Sequence, residues 1–287
     1  MSPGTGLYRS NGQRAVRSRH ARIKAILSHP MSAQPDLSKL SVGQFAERFR
    51  SEMIPLSNTF SYFCASVPLS EEDVKEYLEE PIAALPPAIA ALLPKVSIML
   101  VPYLERVDGK EKGAVRRDEF VVTERPPESR ASWATQVRFD KEEVLVFALK
   151  DQDVSEYHYR FYHVLATLAA DHASEEALMQ YSALLREELN ARVHGEVDEE
   201  SWHMKQALLR RDTNIRKETK AFRDYVRQSL IDTLTLYLHG ICCDIDVETG
   251  PRQLPSRHMR KRLSLIYSLY PPPEGYAVFP EHQERAQ

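Results

Sequence analysis

Glycine is scarce in this chain, and the glycine-rich motifs that bind phosphate groups are missing. Only 10 of the 287 residues are glycine. The Gly-x-Gly-x-x-Gly turn of dinucleotide-binding folds and the phosphate-binding loop of nucleoside triphosphatases do not occur. The Gly-x-Ser-x-Gly turn that carries a nucleophilic serine is also absent. The sequence therefore gives no support to nucleotide, nicotinamide or flavin binding of the common kinds.

Cysteines are few, and long apolar runs are missing. The three cysteines are Cys64 and the adjacent pair Cys242 and Cys243, and an odd count that includes direct neighbours argues against a disulfide framework. We therefore expect a reducing, cytoplasmic compartment. No stretch approaches the roughly 20 apolar residues of a membrane-spanning helix, so we expect no membrane partner. The formal charge of −3 gives no overall attraction to nucleic acid.

The first 35 residues differ in composition from the rest of the chain. They contain six arginines and lysines and no acidic residue. Such a segment with little apolar periodicity is typical of a disordered arm. One interpretation is a basic arm that contacts nucleic acid. Another is that Met31, and not Met1, is the true start.

Apolar periodicity predicts an α+β fold in which helices predominate. We expect a single domain over residues 36–280, with a helical part at 36–94. A small, mostly antiparallel sheet at about 95–149 should pack against a C-terminal helical half at 150–270, and residues 271–287 should dock as a tail. The five helices of that half are predicted at about 154–170, 174–193, 197–211, 215–239 and 255–269.

Two segments with a His-Gly pair hold the densest sets of metal-ligand and acid/base side chains. They begin at His194 and at His239. A site built from both would use a divalent ion (Zn, Mn or Fe) with a carboxylate as general base. The candidate ligands are His194, His203, His239 and Asp244, and the candidate catalytic carboxylates are Glu196, Glu200 and Asp232.

Each of these candidates has a structural alternative. Acids near Glu200 suit a solvated first helical turn, where they complement the helix dipole. Asp232 lies in an apolar run and needs a partner or a proton, so it could instead bond a neighbouring helix. Adjacent cysteines rarely bind one ion in tetrahedral geometry, which disfavours a zinc site at Cys242 and Cys243. His158 and His163 are five residues apart, a spacing that does not bring both rings to one ion.

The order of elements resembles that of zincin metallopeptidases, in which a helix follows a sheet and begins a helical half. That helix carries His-Glu-x-x-His in the family. The corresponding stretch here is His163-Val164-Leu165-Ala166-Thr167, without the glutamate and the second histidine. The resemblance covers about the middle third of the chain, and it implies a relative that lacks the activity.

A basic segment near the C-terminus has two interpretations. It could form an amphipathic surface helix whose cations pair with the acid-rich region 187–200, or it could contact RNA phosphates. Its candidate nucleic-acid contacts are Arg257, Arg260, Lys261 and Arg262.

No complete catalytic motif is present, which favours a non-catalytic cytoplasmic interaction or accessory protein with a protein partner. The first alternative is a metal-dependent hydrolase with its site between the C-terminal helices. The second is a nucleic-acid-associated protein that uses the two basic segments.

Overall fold

The computed structural model describes residues 40–111, 114–140, 142–210, 217–243 and 252–278. These residues belong to one compact unit, Ser38–Gln287. The basic arm at 1–35, the candidate ligand Asp244 and most of the predicted tail lie outside the described residues.

The strands are β1 (Leu40–Ser41), β2 (Ile54–Pro55), β3 (Phe60–Cys64), β4 (Lys95–Val101), β5 (Tyr103–Glu111), β6 (Ala114–Val122), β7 (Ala131–Ser132), β8 (Ala134–Phe139) and β9 (Glu142–Ala148).

The strands form two sheets. The first is antiparallel, in the order β1-β6-β5-β7, and the second has the order β2-β3-β4-β9-β8. In the second sheet β4 is parallel to both β3 and β9, whereas β8 is an antiparallel edge strand. Both strands end in a continuous apolar run, residues 98–101 in β4 and residues 144–148 in β9, as expected for strands that are covered on both faces.

The predicted predominance of antiparallel pairing is confirmed, since five of the seven strand pairings among the described residues are antiparallel. The prediction of a single sheet was wrong, because the strands form two. Strands β1 to β3 lie in the part that was predicted to be helical, and the centre of the second sheet is parallel. The predicted range 95–149 contains β4 and β9. The sequence could not show that these two strands pair with each other, because parallel partners lie far apart in the chain.

Helices make up most of the remaining described chain, and the α+β, mainly helical class is confirmed. The predicted C-terminal helices all form, with boundaries shifted by a few residues. The helices are α1 (Val42–Phe49), α2 (Glu71–Val74), α3 (Glu80–Ala83), α4 (Pro87–Ala90), α5 (Val154–Asp171), α6 (Glu175–Asn190), α7 (Glu199–Leu209), α8 (Lys220–Cys242) and α9 (Ser256–Leu269), with a π-helical turn (Lys75–Glu79) between α2 and α3.

Helix α8 is the central helix of the C-terminal half. Its N-cap, Thr219, accepts a hydrogen bond from the backbone N–H of Phe222. From Ser229 to His239 all its residues but Leu236 are buried, as expected for a helix that is apolar on nearly all sides. No helix among the described residues has the length and apolar character to cross a membrane.

Candidate functional site

The candidate carboxylate Glu196 belongs to a buried cluster of charges. Its two oxygens accept hydrogen bonds from Arg262 on α9, at 2.6 and 3.0 Å. Lys205 Nζ lies 3.1 Å from the same carboxylate, and the Tyr225 hydroxyl donates to it. Glu188 on α6 accepts from Arg262 as well, at 2.6 Å. All four charged side chains are at least 98% buried, and two cations balance two carboxylates.

This cluster corrects two sequence predictions. Glu196 cannot act as a general base, because both of its oxygens are occupied. Burial would raise the pKa of its carboxyl, but the charges of Arg262 and Lys205 hold the pKa below its usual range. Arg262 is fully buried, so it cannot contact nucleic acid. One interpretation of the sequence paired the cations of this basic segment with region 187–200, and the structure has such pairs, but Arg262 is buried and not on the surface. The individual partners were not recognisable, because Glu196 and Arg262 lie 66 residues apart.

Backbone contacts hold Glu196 in this position. Its N–H donates to the carbonyl of Arg252, and its carbonyl accepts from the N–H of Leu254. The preceding Gly195 has a φ of +80°, and a Cβ on it would lie 2.1 Å from the carbonyl oxygen of Gln253. Glycine is therefore required at position 195, where the chain passes close to the backbone of Gln253.

The other sequence candidates are not gathered into one site. His203 is exposed and lies 3.5 Å from Glu199 on the same helix, and His194 is exposed too. His239 is buried among aromatic rings, 6.1 Å from Tyr159 and from Tyr162 between ring centroids. The three basic candidates Arg257, Arg260 and Lys261 are exposed on α9, and Lys261 pairs with Glu187.

Two of the candidate carboxylates, Glu200 and Asp232, do meet at a cleft. It has a volume of about 380 Å³ and lies between the start of the edge strand β8 and helices α5, α7 and α8. Its walls are formed by Ala134, Tyr159, Arg160, His163, Val164, Asp198, Glu200, Gln228 and Asp232.

Asp232 forms the buried end of this cleft and is only 3% exposed. Its Oδ1 accepts a hydrogen bond from Gln228 at 2.9 Å. Its Oδ2 accepts no hydrogen bond of normal geometry among the described residues. The Ser201 hydroxyl is near enough to lower the pKa of Asp232, but it donates its proton to the carbonyl of Asp198 at 3.1 Å. Burial raises the pKa of Asp232 to about 7, and the charge of Asp198 adds to this effect. Ionising this carboxyl in the free protein is therefore costly, and a cation in the cleft would relieve that cost.

The surroundings of Asp232 carry a net negative charge at neutral pH. Asp198 caps α7, and its other oxygen accepts from the Tyr159 hydroxyl at 3.1 Å. The positive charge of Arg160 is already paired with Glu156 and lies over the ring of Trp133. Burial lowers the pKa of His163, so this imidazole is neutral. The ionisable side chains facing or close to Asp232 are Tyr159, Arg160, His163, Glu196, Asp198 and Glu200.

A second group of reactive side chains lies away from the cleft. His158 meets Cys242 and Cys243 where α5 packs against the end of α8. A hydrogen bond from Cys243 lowers the pKa of the Cys242 thiol. The sequence drew attention to both cysteines but not to His158 as their partner, since 85 residues separate it from Cys243.

The chain matches no known protein family, no curated protein and no solved structure.

Proposed function

We propose that this chain is a non-catalytic binding protein that captures an extended polypeptide segment and places a basic side chain of that segment against Asp232. The observation that carries the proposal is the unpartnered, buried Oδ2 of Asp232 at the end of a cleft that opens beside a sheet edge. A buried carboxylate oxygen without a donor is costly, and an ammonium or guanidinium group would satisfy it.

The edge strand β8 supports a polypeptide as the ligand. Its inner edge pairs with β9, and no strand in the described chain pairs with its outer edge. Gln136 and Arg138 are exposed along it. An extended segment can add to such an edge through main-chain hydrogen bonds, while neighbouring pockets select its side chains. Because Ala134 begins β8 and also lines the cleft, a segment lying along β8 would have the cleft within side-chain reach.

Charge and volume favour a basic side chain. Asp198, Glu200 and Asp232 line the cleft, whereas its single arginine is already paired. A cleft of about 380 Å³ is at the small end of the range for ligand sites, which suits one side chain better than a large cofactor.

The zincin-like layout adds support for binding without catalysis. His163 and Val164 both line the cleft, so valine stands where the His-Glu-x-x-His pattern has its glutamate. Thr167 replaces the second histidine, and its hydroxyl donates to the carbonyl of His163. The described residues show no cluster of His and carboxylate ligands of the kind that the hydrolase alternative requires.

The test is the affinity for a capped, fluorescent peptide of sequence Thr-Val-Lys-Val-Thr, measured by anisotropy at pH 8. We expect replacement of its lysine by norleucine to weaken binding by at least about 10-fold, since a buried charge pair contributes more than 1.4 kcal/mol. Asp232→Asn should remove this preference for lysine. Asp224→Asn, the same change at an exposed position of the same helix, should leave it intact.

Binding should also weaken about 10-fold between pH 8 and pH 6, because protonation of Asp232 competes with the cation. Equal affinity for the lysine and norleucine peptides would contradict the proposal. Equal affinity for N-acetyl-lysine amide and for the peptide would also contradict the proposal, because the lysine side chain alone would then account for all of the binding.

A further inference from the structure

A histidine and two cysteines converge at one end of the helical half, apart from the cleft. His158 lies on α5, Cys242 is the last residue of α8, and Cys243 follows it. Their ligand atoms all lie within 4.8 Å of one another. Among the described residues, no other set of three or more His, Cys, Asp or Glu side chains is gathered in this way.

The hydrogen bonds of His158 orient its ring for ligation. Its Nε2 lies 2.9 Å from the carbonyl oxygen of Glu76, which can only accept, so Nε2 carries the proton. The lone pair is then on Nδ1, which lies 3.3 Å from the Cys243 sulfur. Histidines that bind metals commonly donate their other ring N–H to a backbone carbonyl in this way. The side chain of His158 is buried, so its orientation is also fixed by packing.

The backbone explains how two adjacent cysteines can face the same point. Cys242 is the last helical residue, whereas Cys243 is extended, with φ −130° and ψ 145°. The chain therefore changes direction between them, and the two thiols come within hydrogen-bonding reach of each other. Adjacent cysteines in a continuous helix would point about 100° apart. The sequence argument against a zinc site assumed no such break.

We infer that His158, Cys242 and Cys243 bind one zinc ion. Two thiolates and an imidazole form a set that tetrahedral zinc takes with its fourth position open to water or a further ligand. At normal zinc–ligand bond lengths, a sulfur and a nitrogen on one ion lie about 3.5 Å apart, close to the 3.3 Å between Cys243 and His158. Soft thiolate ligands select against Mg²⁺ and Ca²⁺.

The surroundings are compatible with a bound ion. The hydroxyl of Tyr162 donates to the carbonyl of Pro81 at 3.1 Å and lies within hydrogen-bonding reach of Cys242. It would donate to a Cys242 thiolate by turning its proton from that carbonyl to the sulfur. Both cysteines are half-buried, so the site is accessible to an ion from solution. Zinc binding would release up to two protons, one from each thiol, which would leave the ion and its two thiolates neutral overall.

The experiment titrates the full-length, chelator-treated, reduced protein with Co²⁺ and then with Zn²⁺. We expect one equivalent of Co²⁺ to give the thiolate charge-transfer and visible bands of a tetrahedral site, and one equivalent of Zn²⁺ to displace it. Cys242→Ser, Cys243→Ser and His158→Ala should each weaken zinc binding by at least about 100-fold, beyond the usual effect of losing an outer-shell partner. Cys64→Ser removes the remaining cysteine, which lies outside this group, and should change the affinity by less than twofold.

Thiol alkylation of the wild-type protein gives a second readout that does not depend on how the variants fold. One equivalent of Zn²⁺ should protect Cys242 and Cys243 from iodoacetamide and leave the rate at Cys64 unchanged. Absence of 1:1 binding, or unchanged affinity in the Cys242→Ser and Cys243→Ser variants, would overturn the inference. The inference would also be overturned if the reduced protein binds no zinc and mild oxidation lowers the protein mass by two hydrogens. That result would identify Cys242 and Cys243 as a dithiol–disulfide pair.

Discussion

The pH dependence of stability is the sharpest consequence of burying Asp232. The pKa of its carboxyl is 3.8 when exposed and about 7 in the folded protein. The folded state therefore binds more protons than the unfolded state between these two values. The contribution of Asp232 is most favourable below pH 3.8, becomes less favourable as the pH rises to about 7, and is constant above that.

The expected magnitude follows from this shift. A shift of about 3 pKa units corresponds to ~4 kcal/mol in total. Of this, about 3 kcal/mol falls between pH 5 and pH 8, because the unfolded carboxyl is already mostly ionised at pH 5. Asp232→Asn keeps the shape of the side chain and removes the charge. We therefore expect the variant to gain about 3 kcal/mol relative to the wild type when the pH is raised from 5 to 8.

Urea unfolding of both proteins at pH 5 and pH 8 measures this difference directly, with Asp224→Asn as the control. Asp224 is exposed on the same helix, so its replacement should give the same small effect at both pH values. If the difference in unfolding free energy between wild type and Asp232→Asn is the same at both pH values, the argument that Asp232 is buried without adequate partners is refuted.

Three further predictions concern the described fold and are checked by urea unfolding at pH 7. Arg262→Met should destabilise the protein by about 3–5 kcal/mol, because it removes the guanidinium that pairs with both buried carboxylates, Glu188 and Glu196. A loss below 1 kcal/mol would show that the cluster is not as buried as described. Gly195→Ala should destabilise by more than about 1 kcal/mol, since φ is positive there and the added Cβ meets the 252–254 segment; unchanged stability would mean that the two segments do not touch. Thr219→Ala should cost about 0.5–2 kcal/mol by removing the N-cap of α8, and a neutral effect would place the start of the helix elsewhere.

Much of the helical half could be predicted from the sequence because its signals are local. Apolar periodicity marks these helices without any knowledge of tertiary contacts. Strand β3 gave no such signal. It is five residues long, and it was missed because its pairing with β4 depends on chain that is distant in sequence.

The candidate site could be predicted only in part, for the same reason. Asp232 stood out because an acid within an apolar run must be accommodated, and it does lie buried. Glu196 and Arg262 were misread because a charged residue in a polar segment looks solvated until its partner is known. His158 was set aside because its spacing from His163 excluded a site within one helix, whereas its partners lie on another.

The central claim is that the cleft beside β8 receives an extended segment through main-chain hydrogen bonds and a basic side chain. The most direct measurement compares two N-methylated forms of the Thr-Val-Lys-Val-Thr peptide at pH 8. In each form, methyl groups replace the amide hydrogens along one edge of the extended peptide. A peptide added to β8 would use only one of its own two edges for hydrogen bonds, so we predict that one methylated form loses binding and the other keeps the parent affinity. Equal affinity of both methylated forms and the parent peptide would contradict the account.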